Sequence, residues 1–547
     1  MGYMRPATVH TIQYPPSRSY SVLNIVLNIQ YLLSRMSYLA PSTSSLQFAE
    51  TIRPCAICGE SQPQSPHTAW IHILDDDSLL DIFYLYRPPI FDGDESDQVR
   101  AFGGRKWDRE RWWHKLAQVC QRWRNLLLGS ASYLGLCLVC TWGTPVADML
   151  THSPSLPLVI DYDDENRYIT WPAEEEERII LALKQHDRVR RIRLRVPVPI
   201  MPKLIIAIDG EYPVLEYLVL ESQGEYNTLA PVLPKPLEAP RLYHLLLMGV
   251  VPPIESRLLT TAVGMVTLCL HMQKPSAYFQ PNILLQCLSS MPQLETLVVS
   301  TNFFIITDHV ERQLLDMPIT TRVALPNLRS FQFEGSGTYM EVVVHHITAP
   351  RLETLNIQLY NELELSVPHL YQFMNTTNDL RFDSATFEFS FYRVFVRLYL
   401  REEAEVYALL MTAFYMGQAR DMQLFSVTQI FNSFSQKLST VEHLSLEHAA
   451  FSYVHDGPEV DPTEWRQLLQ LFRCVKTLNV HDRLVKEVSR CLELDDGEHP
   501  LELLPVLQEL TYSGSDDTSD AFTSFTDARQ NAGRPVTLTP LSRGSSS

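Results

Sequence analysis

The sequence predicts an α/β chain in two parts, a small helical module over residues 70–138 and a strand–helix solenoid over residues 150–512. Three observations predict it. Apolar stripes at helical spacing occupy residues 79–86 and 112–127. A fragment of the form apolar, two residues, apolar, one residue, apolar recurs eleven times after residue 185. Helix-like apolar stretches lie between the recurrences. A chain of 547 residues with 45% hydrophobic residues is long enough for such a body to bury its own core.

In chain order, the first 49 residues hold no Asp or Glu and carry Arg5, Arg18 and Arg35 among many serines. That composition suits a transit peptide or an unconstrained tail, and a tail is the expectation. The apolar stretch over 22–33 is interrupted by Asn24, Asn28 and Gln30, so it falls short of the ~20 apolar residues that a bilayer span needs. Pro6 stands where N-myristoylation requires Ser or Thr. Residues 42–68 are rich in Ser, Pro and Gln, and 1–69 are expected to be a disordered segment and linker.

The module begins near Trp70. Asp75, Asp76, Asp77 and Ser78 offer N-cap oxygens and negative charge to a helix over 77–86, which carries Leu79, Leu80, Ile82, Phe83 and Tyr86 and is stopped by Pro88-Pro89. Residues 88–110 combine Pro, Gly and the acidic Asp92, Asp94, Glu95 and Asp97, as a solvated loop insertion does. A second helix starts near Arg109 and carries Trp112, Trp113, Leu116, Val119, Cys120, Trp123, Leu126 and Leu127 to a stop at Gly129. Adjacent helical residues point about 100° apart, so burying both Trp112 and Trp113 requires packing around that whole turn. Ser132, Tyr133, Leu134, Leu136 and Leu138 make a third short segment. These helices are too small to form a core alone and too apolar to be a linker, which points to a docking element. Further on, the Glu174-to-Glu177 run is a negative first turn for a helix continuing through Ile179, Ile180 and Leu183.

The recurring fragment is anchored at Val189, Leu215, Leu242, Met265, Leu294, Leu328, Leu352, Phe395, Val441, Val475 and Leu507, at spacings of 23 to 46 residues. Its later apolar positions alternate as one face of a strand does. A Pro often stands two residues before the anchor, as at Pro213, Pro240, Pro292, Pro326, Pro350 and Pro505, and turns the chain into the strand. Between strands lie helical stretches such as Ile283-Leu284-Cys287-Leu288 and Trp465-Leu468-Leu469-Phe472. One strand plus one helix per period, stacked in one direction, is a solenoid. From residue 513 onward Ser, Thr, Asp and Gly dominate, so 513–547 is expected to be a disordered tail open to phosphorylation.

The formal charge of −18 without a basic run argues against nucleic-acid partners, whose phosphates need clustered Lys and Arg, and leaves basic or neutral partners. Nine scattered cysteines, with Cys120, Cys269, Cys287 and Cys474 inside apolar segments, suggest reduced core thiols of a cytoplasmic or nuclear protein with no membrane partner. Cys55-Ala-Ile-Cys58 is half of a zinc ribbon without a second pair, and Asp92 to Asp97 lacks the bidentate Glu of an EF-hand loop, so no metal or cofactor is expected. No phosphate-binding glycine loop, H-E-x-x-H or G-x-S-x-G occurs, so no catalytic residue is named and no enzyme is expected. His345-His346, after Val342-Val343-Val344, is expected at a strand end, and the acceptor sequence Asn375-Thr376-Thr377 is expected to stay unglycosylated.

The residues over 74–136 resemble an F-box. The resemblance is carried by Leu74-Asp75-Asp76-Asp77-Ser78-Leu79-Leu80-Asp81-Ile82-Phe83 and by Leu116-Ala117-Gln118-Val119-Cys120-Gln121-Arg122-Trp123-Arg124, of which the Val-Cys-x-x-Trp string is the more specific. The recurrences resemble the irregular leucine-rich repeats of fungal, basidiomycete-type F-box proteins. The resemblance implies a three-helix module that docks onto a Skp-type adaptor of an SCF-type cullin-RING ubiquitin ligase, and a repeat domain that captures a protein substrate. Carried over by position, Leu74, Leu79, Leu80, Ile82 and Phe83 would supply adaptor-facing or core surface. Leu116, Val119, Cys120, Trp123 and Leu126 would close the helical packing of that adaptor-binding unit.

Three departures accompany the match. Asp75 stands where the family usually has Pro, the 88–110 connection is longer than usual, and the Asn expected three residues after the third apolar position occurs only at Asn302. The function expected is a non-enzymatic substrate adaptor for ubiquitin-dependent degradation. The alternative is a repeat scaffold independent of ubiquitination, with the N-terminal helices as a cap.

Overall fold

The structure, a computed structural model, describes residues 74–88 and 111–540, apart from 154, 164–170, 224–229, 254–255, 273–278, 302–318, 361–366, 378–381, 391–392, 401–407, 415–419, 449–460, 494–501 and 514–519. The expected N-terminal segment with its Cys55 and Cys58, nearly all of the 88–110 loop, and Asn302 lie outside the described residues. The chain divides into two compact units, one of residues up to 161 together with 172–190, the other of 162–171 together with 191 onward.

The first unit runs through α1 (Asp76–Tyr86), α2 (Trp112–Ala117), α3 (Gln121–Gly129), α4 (Ala131–Leu134), β1 (Leu138–Cys140), α5 (Val146–His152), the start of β2 (Leu158–Asp163) and α6 (Ala173–Leu183). The apolar stripe over 112–127 is two helices where one was expected. Cys120 adopts extended backbone at φ −159° and ψ 169° and caps α3, its sulfur accepting the Trp123 N–H at 3.5 Å. Arg124 Nε donates at 3.0 Å to the Ala117 carbonyl that the break leaves open. Apolar residues continue through the break, so periodicity does not mark it.

The expected module boundary at 138 falls inside a packed unit. Arg111 donates to the Val139 carbonyl and to the Thr141 hydroxyl, and the Trp113 indole N–H donates to the Cys137 carbonyl at 3.2 Å. Trp112 and Trp113 are consequently both buried, 8% and 7% exposed. Gly135, at φ +61°, ends α4 and turns the chain toward β1. The acidic first turn of α6 is also a tie, because Glu175 accepts from Arg178 and from the Gly143 N–H.

The second unit alternates strands and helices: β3 (Val189–Pro197), α7 (Met201–Ala207), β4 (Tyr217–Gln223), β5 (His244–Met248), α8 (Arg257–Thr261), β6 (Thr267–His271), α9 (Pro281–Leu288), β7 (Thr296–Ser300), β8 (Val323–Ala324), β9 (Ser330–Gly335), α10 (Gly337–His345), β10 (Ile347–Thr348), β11 (Thr354–Tyr360) and α11 (Pro368–Asn375). It continues through β12 (Ser384–Phe389), β13 (Arg393–Tyr399), β14 (Leu409–Phe414), α12 (Arg420–Asn432), α13 (Ser435–Leu438), β15 (His443–His448), α14 (Pro462–Leu469), β16 (Thr477–His481), α15 (Val485–Leu492), β17 (Glu509–Ser513), α16 (Thr523–Asn531) and β18 (Thr537–Pro540). From β3 to β18 the sheet order is β3-β4-β5-β6-β7-β9-β11-β14-β13-β12-β15-β16-β17-β18, while β8 and β10 form a separate parallel pair.

The class is α/β with a large, mostly parallel sheet, and every recurring fragment falls on a strand. One runs against the rest. From β11 the chain passes to β12, returns along antiparallel β13 to β14 beside β11, and then reaches β15 beside β12. The Phe395 fragment therefore lies on the antiparallel β13, because alternation specifies a strand and not its direction. At β9 and β11 the sheet buries one face, while β4 and β6 each bury three consecutive residues. Along β9 and β11 buried and half-buried residues alternate. The buried Phe331 and Phe333 meet Phe373 of α11 and Tyr339 of α10, and Phe387 and Phe389 meet Phe431 of α12 and Trp465 of α14. Parallel sheets covered on both faces bury continuous runs instead.

Each Pro before an anchor occupies the second position of a β-turn that Pro preorganises. The anchor N–H closes the turn on the carbonyl three residues back, as from Leu215 to Tyr212, Leu242 to Ala239, Leu294 to Met291 and Leu328 to Leu325. The next residue then donates to its counterpart in the preceding period, Glu295 to Val266, Arg329 to Glu295 and Glu353 to Arg329, each at 2.8 Å. This backbone ladder supports the turns without an asparagine ladder.

Three further expectations change. The Val342-Val343-Val344 run lies in α10 and not in a strand, since burial of Val343 and Val344 outweighs the β preference of Val, and His345 ends that helix. Cys474 is exposed and not in the core. The tail expected to be disordered from 513 holds α16 and β18, the latter parallel to β17. Its polar composition hides three buried side chains, Phe522, Phe525 and Arg529, whose guanidinium donates to the carbonyls of Leu507 and Pro505. Arg529→Ala is expected to free residues 520–540, so that limited proteolysis cleaves there about tenfold faster than in the wild type.

At the end of β9, a Cβ on Gly335 would stand 1.9 Å from the Thr301 hydroxyl oxygen. Gly335→Ala is expected to destabilise the chain by about 2 kcal/mol in chemical denaturation, and the Thr301→Ala/Gly335→Ala double variant to recover part of that loss.

Candidate functional site

The helical module is organised around one aromatic contact and one charged fork. Phe83 of α1 meets Trp123 of α3 edge to face at 5.0 Å between centroids. Arg122, beside Trp123, donates to the Asp76 carboxylate at 2.7 Å and to the Leu74 carbonyl at 2.6 Å, which fixes α3 to the start of α1. Asp75 supplies the N-cap of α1 by accepting the Ser78 N–H at 2.7 Å, and that bond holds its carboxyl below the usual range.

The expected adaptor residues separate into two sets. Leu79, Ile82, Phe83, Leu116, Cys120 and Trp123 are buried and serve the module's own packing. Leu74, Leu80 and Val119 remain partly exposed. Among the described residues of this module, the largest exposed apolar groups lie outside the expected set: Tyr84 at 49%, Leu85 at 61% and Tyr133 at 55%, with the Tyr84 and Tyr133 rings stacked at 5.5 Å. The signal for them was present, because Leu80 and Tyr84 stand four residues apart and form a second apolar line on α1 beside the buried one.

The less buried face of the sheet, on which Val219, Cys269 and Ser300 are themselves buried, is the second candidate. Glu221, Met248, His271, Ser300 and Glu334 align in one row across β4, β5, β6, β7 and β9, beside a row of Val219, Leu246, Cys269, Val298 and Gln332. Arg195 donates to Glu221 at 2.6 Å, Ser300 donates to Glu334 at 2.7 Å, and the Tyr360 hydroxyl donates to the other Glu334 oxygen. These donors fix both carboxylates in place. Between them, burial lowers the His271 pKa while Glu334 and Glu221 pull it upward. In the adjoining row the Tyr217 and His244 rings stack at 4.3 Å. The recurring fragment marks the buried positions only, so this face was not legible from it. Such a surface offers shape, an aromatic contact and fixed polar groups.

No family model and no curated protein matches this chain. Among the described residues, no group of three or more His, Cys, Asp or Glu is placed to hold a metal ion, and no helix is long and apolar enough to cross a membrane. A cavity lined in part by Glu442, Cys474, Lys476, Gln508 and Arg534 opens where the turns before β16, β17 and β18 meet, and Lys476 holds Glu442 there at 2.6 Å.

In α2, burial and then the neighbouring Arg111 push the His114 imidazole down to about 4. The unfolded chain takes up that proton near 6.5 while the folded chain resists it, so this contribution to stability is complete above 6.5 and is lost as the pH falls toward 4. Between pH 7.5 and pH 5 the wild type is expected to lose about 1–2 kcal/mol more unfolding free energy than His114→Asn, as read by chemical denaturation at both pH values.

Proposed function

We propose that this chain is a substrate adaptor of an SCF-type cullin-RING ubiquitin ligase, built as an F-box-like helical module followed by a leucine-rich-repeat-like solenoid. The observation that carries this reading is the module's division of labour. Its core is closed by Phe83 and Trp123, while Leu80, Tyr84, Leu85 and Tyr133 keep apolar surface in solvent. A cap would bury its aromatic faces within the chain, so the exposed Tyr84 and Tyr133 favour docking over capping. The module would hold a Skp-type adaptor, and the less buried sheet face would hold a protein substrate. The chain would then act by tethering, raising the concentration of substrate lysines at the ligase without bond chemistry of its own. The proposed setting is the cytoplasm or nucleus, with no nucleic-acid or membrane partner.

Phe83 is fully buried, so a charge there would test folding and not docking. Leu80→Asp/Leu85→Asp places charges on the surface instead. In calorimetric titration with a purified Skp-type adaptor, the wild type is expected to bind saturably and the double variant about 100-fold more weakly, with unchanged circular dichroism. Absence of saturable binding by the wild type overturns the proposal, and equal binding by the variant removes this patch from the docking surface.

A further inference from the structure

The last residue of α10 and the first turn of α11 bring two imidazoles together. His345 Nδ1 lies 2.9 Å from His369 Nδ1, and the ring centroids are 4.0 Å apart. The backbone holds this pair in place without using either ring. Glu341, one turn before His345 in α10, accepts the N–H groups of His369 and Leu370 at 2.8 and 2.9 Å and so caps α11. His346 is engaged elsewhere, its Nδ1–H donating to the Val342 carbonyl at 2.9 Å. His345 is exposed and His369 is half-buried, so solvent reaches the pair.

A direct bond between two imidazoles requires one ring to present Nδ1–H and the other a bare lone pair. An ion in place of that shared proton would receive a lone pair from each. Two nitrogens about 2.05 Å from one metal stand about 2.9 Å apart when they are cis at 90°, and about 3.4 Å apart at the tetrahedral angle. The observed separation matches the cis positions of a square or tetragonal site.

We propose that His345 and His369 form a two-nitrogen site for a divalent transition ion, with Cu²⁺ preferred over Ni²⁺ and Zn²⁺. The preference follows from the affinity order of imidazole ligands. With no third protein ligand among the described residues, the remaining positions fall to water or an outside ligand, and the ion exchanges readily. The exposed Arg322 opposes a cation at this pair, an effect that salt screens. A bound ion would bridge α10 to α11 and stabilise the folded chain by mass action.

The test uses the full chain with its accessible thiols alkylated, which removes competing sulfur ligands. It is titrated with Cu²⁺ and followed by electron paramagnetic resonance. The wild type is expected to take up one more equivalent than either His345→Gln or His369→Gln, with the signal of two nitrogen ligands on that equivalent, and His346→Gln is expected to retain it. Uptake by both variants equal to the wild type overturns the proposal. Loss in only one of the two overturns it as well, since the site requires both rings, and loss in His346→Gln moves the ion off this pair.

Discussion

The sheet depends on the β-turn that precedes its strands. In each such turn the anchor N–H returns to the carbonyl three residues back, and the following N–H reaches the preceding period, from 216 through 243, 266, 295 and 329 to 353. Buried backbone groups must be paired, so this ladder decides where each strand starts relative to its neighbour. Once the start is fixed, period-two alternation assigns every later side chain to one face. Leu218, Leu245, Leu268, Leu297 and Phe331 therefore fall into one row, all buried. Side chains reinforce the same stacking on the surface, with Arg329 on Glu353 and Lys476 on Glu442. Exposed pairs of this kind add little energy beyond the ladder itself.

The helical module solves a different problem with fewer residues. Its helices are short, between four and eleven residues in α1 to α4, and helices of that length are not stable alone. Arg122, Cys120 and Asp75 each supply a bond at a helix end, and Phe83 against Trp123 supplies the apolar contact. Because these few groups close the interior, Tyr84, Leu85 and Tyr133 stay exposed among the described residues, with the two tyrosine rings stacked on each other.

What the sequence disclosed follows from what its patterns encode. The anchors and their prolines located every strand of the recurring series, because a turn and an alternating face are both local. Direction is not local, and Phe395 on β13 shows it: the same pattern serves a strand running the other way. The helix break at Cys120 was hidden by apolar residues on both sides, and the Val342-Val343-Val344 helix by residues that favour strands in isolation. The structure between 520 and 540 escaped composition because its attachment rests on Phe522, Phe525 and Arg529 in a polar segment. Neither the row from Glu221 to Glu334 nor the pairing of His345 with His369 could be read, since each joins residues from separate periods through register alone.

The antiparallel excursion bears on how the sheet assembles. A stack of successive parallel strands can grow by adding each unit to the one before it. At β11 that growth meets a strand synthesised later: the neighbour of β11 is β14, and β12 and β13 must lie in place beyond it. The turn ladder runs as far as Glu353, which donates to Arg329, and resumes with Glu442 on Asp383, while between them Leu355 donates to Ala408 just before β14. The meander of β12, β13 and β14 is therefore a splice between two runs of repeats. A chain cut between β11 and β14 would leave the first run with an unpaired edge, so cooperativity between the two runs passes through these three strands.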